Sequence, residues 1–269
     1  MVNGGYSTAV CLRALLEVVG APDPLVVSTT YLHPAVPGPA EVLVEEVGRT
    51  RRTVTAQARL LQDGIEVVRT LATGTDLGDP TPAGTPVGAP ELPDPTDCVD
   101  PYAAPQVADL VAGATMTDRI HVRHPVLPGW VRGAPTEHTE AEFWIGFADG
   151  RPPDTLALPL LVDAAAPIVR EAGATGSSTL QLTTHVRARP APGWLAARVS
   201  TRYPGRLGTV IQDYGNTQNR SVAKPPGSGR DLQRLHRHPS RTPAGGSAPQ
   251  PAAFEVLRED LEHLAKLSR

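Results

Sequence analysis

From Asn3 to Gly20 the chain reads NGGYSTAVCLRALLEVVG, with Val10, Leu12, Leu15, Leu16, Val18 and Val19 at helical spacing and few polar positions among them. A helix patterned in this way is buried nearly all round. Asn3 has the chemistry of an N-cap and Gly20 that of a C-terminal stop, with Pro22 and Pro24 just beyond. Four runs rich in Val and Thr come next, at 24–34, 40–49, 52–62 and 65–74. They partly alternate and are parted by VPGP and QDG, which are turn chemistry. A helix followed by an antiparallel meander makes an α+β unit.

Between 76 and 105 the composition turns to Pro, Gly, Asp and Thr, a linker with little to pack. Strand-like runs resume at 118–124 (DRIHVRH) and 140–147 (EAEFWIGF). A second apolar helix is predicted over 154–176, with Pro159 in its first turn and a kink or local break at Pro167. Beyond that helix the chain repeats its first half. VVSTTYLHPAVPGPAEVLVEEV matches QLTTHVRARPAPGWLAARVSTR, Pro37 and Gly38 matching Pro192 and Gly193 at an offset of about 155 residues. A repeat of that length is a duplicated domain, not a solenoid period. The chain divides into an N-terminal half at 1–76 without a leading strand, a linker at 77–106 and a C-terminal half at 107–224. A low-complexity tail at 225–251 and an amphipathic helix at 252–269 complete it.

Composition narrows the function without choosing it. A net charge of −3 supplies no global basic field, so nucleic acid is not an expected partner. No apolar run approaches the length of a membrane span, and the N-terminus lacks a signal pattern. Two cysteines, Cys11 and Cys98, make no disulfide framework and fit a reducing cytoplasm. HVRH at 121–124 and HRH at 236–238 lack carboxylates or cysteines at ligand spacing, so no metal is expected. There is no G-x-S-x-G elbow and no P-loop, and GSGRDL at 227–232 has no strand before it. RTRR at 49–52 reads as a solvated turn, or else as a contact for nucleotide phosphates.

One apolar helix wrapped by a meander, opening on NGGYSTAVCLRAL and duplicated, resembles the acyl-CoA thioesterase II type of double-hotdog thioesterases. The second half carries the likeness in LLVDAAAP and TLQLTTHVRARPAPGWL, and the resemblance spans about 1–224. It implies an α+β double hotdog with two half-domains sharing a single sheet. It also implies a homodimer without a cofactor, and hydrolysis of acyl-CoA to free acid and CoA.

In such proteins an Asp joins a Thr or Ser and a Gln to activate water, and Asp163 matches the Asp. A carboxylate inside an apolar helix is expensive to bury unless it is hydrogen-bonded or reaches a cleft. Its first-half counterpart is Thr8, so the duplication carries the acid on one side only. Thr179 matches the hydroxyl, with Thr183 and Thr184 nearby. Gly4, Gly5 and Tyr6 are the expected substrate contacts: two glycines let a ligand approach a helix start whose N–H groups hold an oxyanion, or they merely permit tight passage into the helix.

The likeness fails at its end. The glutamine should come after SVAK at 221–224, but Pro225 and Pro226 cannot serve a central strand and Gly227 stands where the glutamine belongs. Either the tail is an out-of-frame reading of a GC-rich gene, or the ending is divergent and the protein is a degenerate one that binds acyl-CoA or an acyl chain poorly or without catalysis. A hotdog hydratase, the third reading, requires a histidine beside Asp163 in space.

Overall fold

The structure, a computed structural model, describes residues 2–78, 90–111, 116–136, 138–166, 168–173, 178–202, 209–215 and 252–255. The first helix, α1 (Gly4–Val19), begins where the Asn3 side chain accepts the Tyr6 N–H and ends where Gly20 turns left-handed at φ 70°. Ten of its residues are buried, Cys11, Leu12 and Leu15 completely, because four antiparallel strands curl around it. They are β1 (Asp23–Tyr31), β2 (Glu41–Arg49), β3 (Thr53–Gln62) and β4 (Ile65–Thr75); β2, β3 and β4 form a meander, and β1 joins it at β4, where the sequence predicts one continuous meander. β3 and β4 are joined through Asp63 and Gly64, both at positive φ, the backbone that a tight two-residue hairpin demands. Val27, Val42, Val44, Ala56, Ala58 and Val68 alternate inward to close the first core on α1.

Three short 3-10 turns and α2 (Ala108–Val111) lead to the second half. Its elements are β5 (Ile120–Arg123), β6 (Glu140–Phe147), α3 (Leu158–Ala164), β7 (Gln181–His185), β8 (Leu195–Arg202) and β9 (Thr209–Gly215), and a last strand, β10 (Ala252–Glu255), lies beyond them in the chain. Phe143, Ile145, Leu161, Leu195, Ala197 and Val199 form a second core around α3. This helix is shorter than the pattern predicts. Pro159 occupies its first turn, and Ala165 is already extended at ψ 151° before a 3-10 turn over Ile168–Ala172. Pro167, where the sequence predicts the break, lies outside the described residues; a proline there has no N–H to extend the ladder.

The described strands form two sheets, ordered β10-β2-β3-β4-β1-β7 and β5-β6-β8-β9, and not the single shared sheet that the resemblance implies. The halves join because β7, a second-half strand, pairs antiparallel with β1 of the first half. β10 pairs with β2, where the sequence predicts the start of a helix. β2 otherwise presents a row of unpaired backbone groups, and a four-residue ladder with β10 satisfies part of that row. The rest of the predicted tail and terminal helix, and the segment at 221–227 where the glutamine is missing, lie outside the described residues. Among the described residues no helix is long and apolar enough to cross a membrane.

Candidate active site

Asp163 sits on the last turn of α3, and α3 packs against the start of α1. The contact is close enough to require glycine. A β-carbon on Gly5 would stand 2.4 Å from the Pro159 carbonyl oxygen and 2.7 Å from Asp163 Cβ. One on Gly4 would stand 2.9 Å from Tyr31 Cζ and 3.1 Å from Asp163 Oδ2. The glycine pair therefore brings a carboxylate of the second half onto the helix start of the first.

The hydrogen bonds result from that approach. Gly5 N–H donates to Asp163 Oδ2 at 2.9 Å, and Asn3 Nδ2 donates to the same oxygen at 3.0 Å. Thr179 Oγ1 donates to Oδ1 at 3.3 Å, and Asn3 Nδ2 also reaches the Asp163 carbonyl at 3.2 Å. That carbonyl is open to Asn3 because α3 ends at Ala164 and Ala165 is already extended. Burial pushes the Asp163 carboxyl above the ordinary carboxylate range, against the opposing pull of the Gly5 N–H, the Thr179 hydroxyl, the Asn3 amide and the Gly4 N–H. Its hydrogen-bond partners among the described residues include no histidine, which leaves the hydratase reading without the group it requires.

The expected site residues thus meet in part. Asp163, Thr179, Gly4 and Gly5 come together, Thr179 being exposed on the solvent side. Thr183 bonds Ser28 instead, and Thr184 is buried. Tyr6 gives its N–H to Asn3 Oδ1 at 2.9 Å and packs its ring on the first core. Three of the first four N–H groups of α1 are engaged: Gly5 by Asp163, Tyr6 by the Asn3 side chain and Ser7 by the Asn3 carbonyl. The Gly5 N–H holds the carboxylate, where the sequence alone leaves it for an oxyanion.

Three members of this cluster are not picked out by sequence reasoning as site residues. Asn3 reads only as a cap, yet its amide reaches both the carbonyl and the carboxylate of Asp163. Tyr31, at the end of β1, lies against Gly4 and shares a 2.8 Å hydrogen bond with Thr8. Thr8 carries one signal, its place in the repeat opposite Asp163; Tyr31 carries none.

Other candidate groups lie elsewhere. Arg49 pairs with Glu46 and bonds the Val19 carbonyl, at the far end of α1, about 22 Å along the helix from Gly4. His124 lies 5.0 Å from the Phe143 ring, and burial pushes its pKa down to about 4. A cavity of about 300 Å³ runs beneath Trp130, Phe143 and Ile168 on another face of the second half, with Asp163 outside its lining. His236 and His238 lie outside the described residues.

A family model described as the acyl-CoA thioesterase N-terminal domain matches residues 1–75, and one described as the acyl-CoA thioesterase C-terminal domain matches residues 90–206. No curated protein matches the chain. Among solved structures, a protein from Thermobifida fusca assigned as a thioesterase II is similar at 26% identity and TM-score 0.70, over 82% of this chain and 83% of that one. A hot dog fold protein from Alicyclobacillus acidocaldarius is similar at 20% identity and TM-score 0.66, over 82% and 83%. The acyl-CoA thioesterase II TesB2 from Mycobacterium marinum is similar at 15% identity and TM-score 0.58, over 85% and 92%. The fold is a double hotdog, duplicated within one chain.

Proposed function

Because the chain belongs to the acyl-CoA thioesterase family, we propose that it hydrolyses acyl-CoA thioesters to free acid and CoA at the Asp163 cluster. The observation that carries this reading is the carboxylate itself, tied by Gly5, Asn3 and Thr179. Oδ2 is saturated by two donors, whereas Oδ1 takes Thr179 alone and keeps a lone pair for water. A water held between Oδ1 and the exposed Thr179 hydroxyl gives its proton to Asp163 as its oxygen attacks the thioester carbon. The tetrahedral intermediate then collapses, the C–S bond breaks, and the proton on Asp163 passes to the departing thiolate. An acid whose pKa is raised by burial is suited to both steps.

Gly4, Gly5 and Tyr6 line the approach, where the positive end of α1 favours a carbonyl that develops negative charge. No cofactor is needed for these steps. The setting is cytoplasmic, consistent with two free thiols, and the working unit is a homodimer, to be tested by mass in solution. The direct test is release of CoA thiol from short, medium and long acyl-CoAs by the purified chain and its Asp163→Ala variant. Turnover lost in the variant supports the reading; acyl-CoA bound without turnover by the unaltered chain would favour a binding protein.

A further inference from the structure

Hydrolysis at Asp163 leaves one requirement without a group. The carbonyl oxygen of the substrate gains negative charge at attack and needs hydrogen-bond donors, while the Gly5, Tyr6 and Ser7 N–H groups of α1 are already engaged with Asp163 and Asn3. A side-chain donor beside the carboxylate supplies what these N–H groups cannot.

Tyr31 meets that description. Its Cζ and the Asp163 Oδ2 atom lie 2.9 Å and 3.1 Å from the point on Gly4 where a β-carbon would stand, so the phenol and the carboxylate lie side by side over Gly4. Tyr31 is the last residue of β1 and is half-buried, and its N–H donates to the Leu180 carbonyl at 3.1 Å, next in the chain to the exposed Thr179. Thr8, fully buried on α1, lies 2.8 Å from the phenol oxygen. With Thr8 as the donor in that pair, the phenol keeps its own proton to give. Burial raises the Tyr31 pKa further, with the Asp163 charge adding to it against the Thr8 bond, so the phenol stays protonated throughout the pH range in which Asp163 ionises.

We propose that the Tyr31 hydroxyl, oriented by Thr8, donates the hydrogen bond that receives the thioester carbonyl oxygen. The inference rests on the hydrolase reading above. Tyr31 keeps its proton throughout: the attacking water loses one proton to Asp163, the C–S bond breaks, and Asp163 returns that proton to the thiolate. Thr8 is a positioning residue. The duplication explains the division of labour, since the positions matched by the repeat hold a water-activating acid in one half and a hydroxyl that aims a phenol in the other.

The test compares Tyr31→Phe, Thr8→Val and the double variant with the unaltered chain, by steady-state hydrolysis of an acyl-CoA and by thermal unfolding. Tyr31→Phe keeps the ring against Gly4, so kcat is expected to fall by about 100-fold or more with KM changed less than about threefold. Because Tyr31→Phe strands the buried Thr8 hydroxyl, the double variant is included: it is expected to recover the melting temperature and not the kcat. A Tyr31→Phe enzyme with near-normal kcat overturns the inference and leaves the hydrolase reading standing. So does a double variant whose activity returns along with its stability. No hydrolysis by the unaltered chain overturns both.

Discussion

Ser28 Oγ lies 3.2 Å from Thr183 Oγ1, and 155 residues separate them, the interval of the internal repeat. β1 and β7 pair so that Val26 faces His185 and Thr30 faces Gln181, each pair equally spaced about this contact. Two copies of one strand meeting antiparallel at equivalent residues are related by a local two-fold axis, which here passes between Ser28 and Thr183. The same interval relates Thr8 to Asp163, and Gly4 and Gly5 to Pro159 and Leu160. The two helix starts are thus symmetric in position and unlike in chemistry. At α1 an asparagine cap and two glycines admit a carboxylate; at α3 the cap position makes no side-chain hydrogen bond and a proline removes a donor.

One site per chain is the consequence of that asymmetry. Titration with a non-hydrolysable acyl-CoA thioether, monitored by calorimetry, is expected to saturate at one ligand per chain, and Asp163→Ala to change that single event. Two equivalent binding events per chain would mean that the α3 start is also a site.

Gly5 is expected to be intolerant of any side chain. Gly5→Ala forces α1 and α3 apart, because its methyl would meet the Pro159 carbonyl at 2.4 Å. Overpacking of this kind costs about 1–3 kcal/mol. A shift of the carboxylate by about 1 Å lowers kcat by about 100-fold, measurable in protein that is still folded. Gly20→Ala, strained but at the other end of α1, should lose stability without a comparable loss of turnover.

Asp23 links the halves and predicts an acid sensitivity. It is buried at 3% exposure and takes Arg189 at 2.6 Å and 3.1 Å, the Thr155 hydroxyl and the Leu77 N–H. Burial alone would raise its carboxyl; Arg189 and the other donors outweigh it and hold the pKa below the ordinary value. A depressed carboxylate pKa stabilises the fold above the unfolded value and loses that contribution as pH falls through the folded one. Arg189→Met is expected to destabilise by about 2–3 kcal/mol at neutral pH, by urea unfolding, and by progressively less below about pH 4.

Much of the fold is legible in the chain. α1, its cap and stop, and the four strands of the first half can be read from spacing and turn residues, because each buries a face of its own; the pairing of β1 with β4 in place of β2 cannot. α3 is overread, since apolar composition continues past Pro167 while the helical ladder does not. The split into two sheets escapes the pattern because strand pairing across the halves depends on tertiary placement, and Ala252–Glu255 looks helical until β2 offers it an edge. At the site, Asp163 is visible as a charge in an apolar run. The engagement of the α1 N–H groups is not, because it depends on two glycines and a carboxylate 158 residues away. Tyr31 is invisible for the same reason: in β1 it is one more strand former.

Activation of water by Asp163 is what the proposed hydrolysis depends on, and turnover by Asp163→Asn decides it. The amide is isosteric: its oxygen accepts from Gly5 and Asn3, and its NH2 faces the Thr179 hydroxyl, which accepts it. Stability should not suffer. A carboxyl whose folded pKa is raised contributes stability at low pH that is lost as pH rises through that pKa, so at neutral pH the variant is expected to melt no lower than the unaltered protein. The measurement is CoA thiol release across pH 4–9, with whichever acyl-CoA of the short-to-long series the unaltered protein hydrolyses best. Activity of the unaltered protein is expected to rise with pH through an ionisation above the ordinary Asp value of 3.8, and Asp163→Asn to lose about 100-fold or more, with no such rise remaining. A folded Asp163→Asn protein that turns over acyl-CoA at the unaltered rate would contradict water activation by this carboxylate.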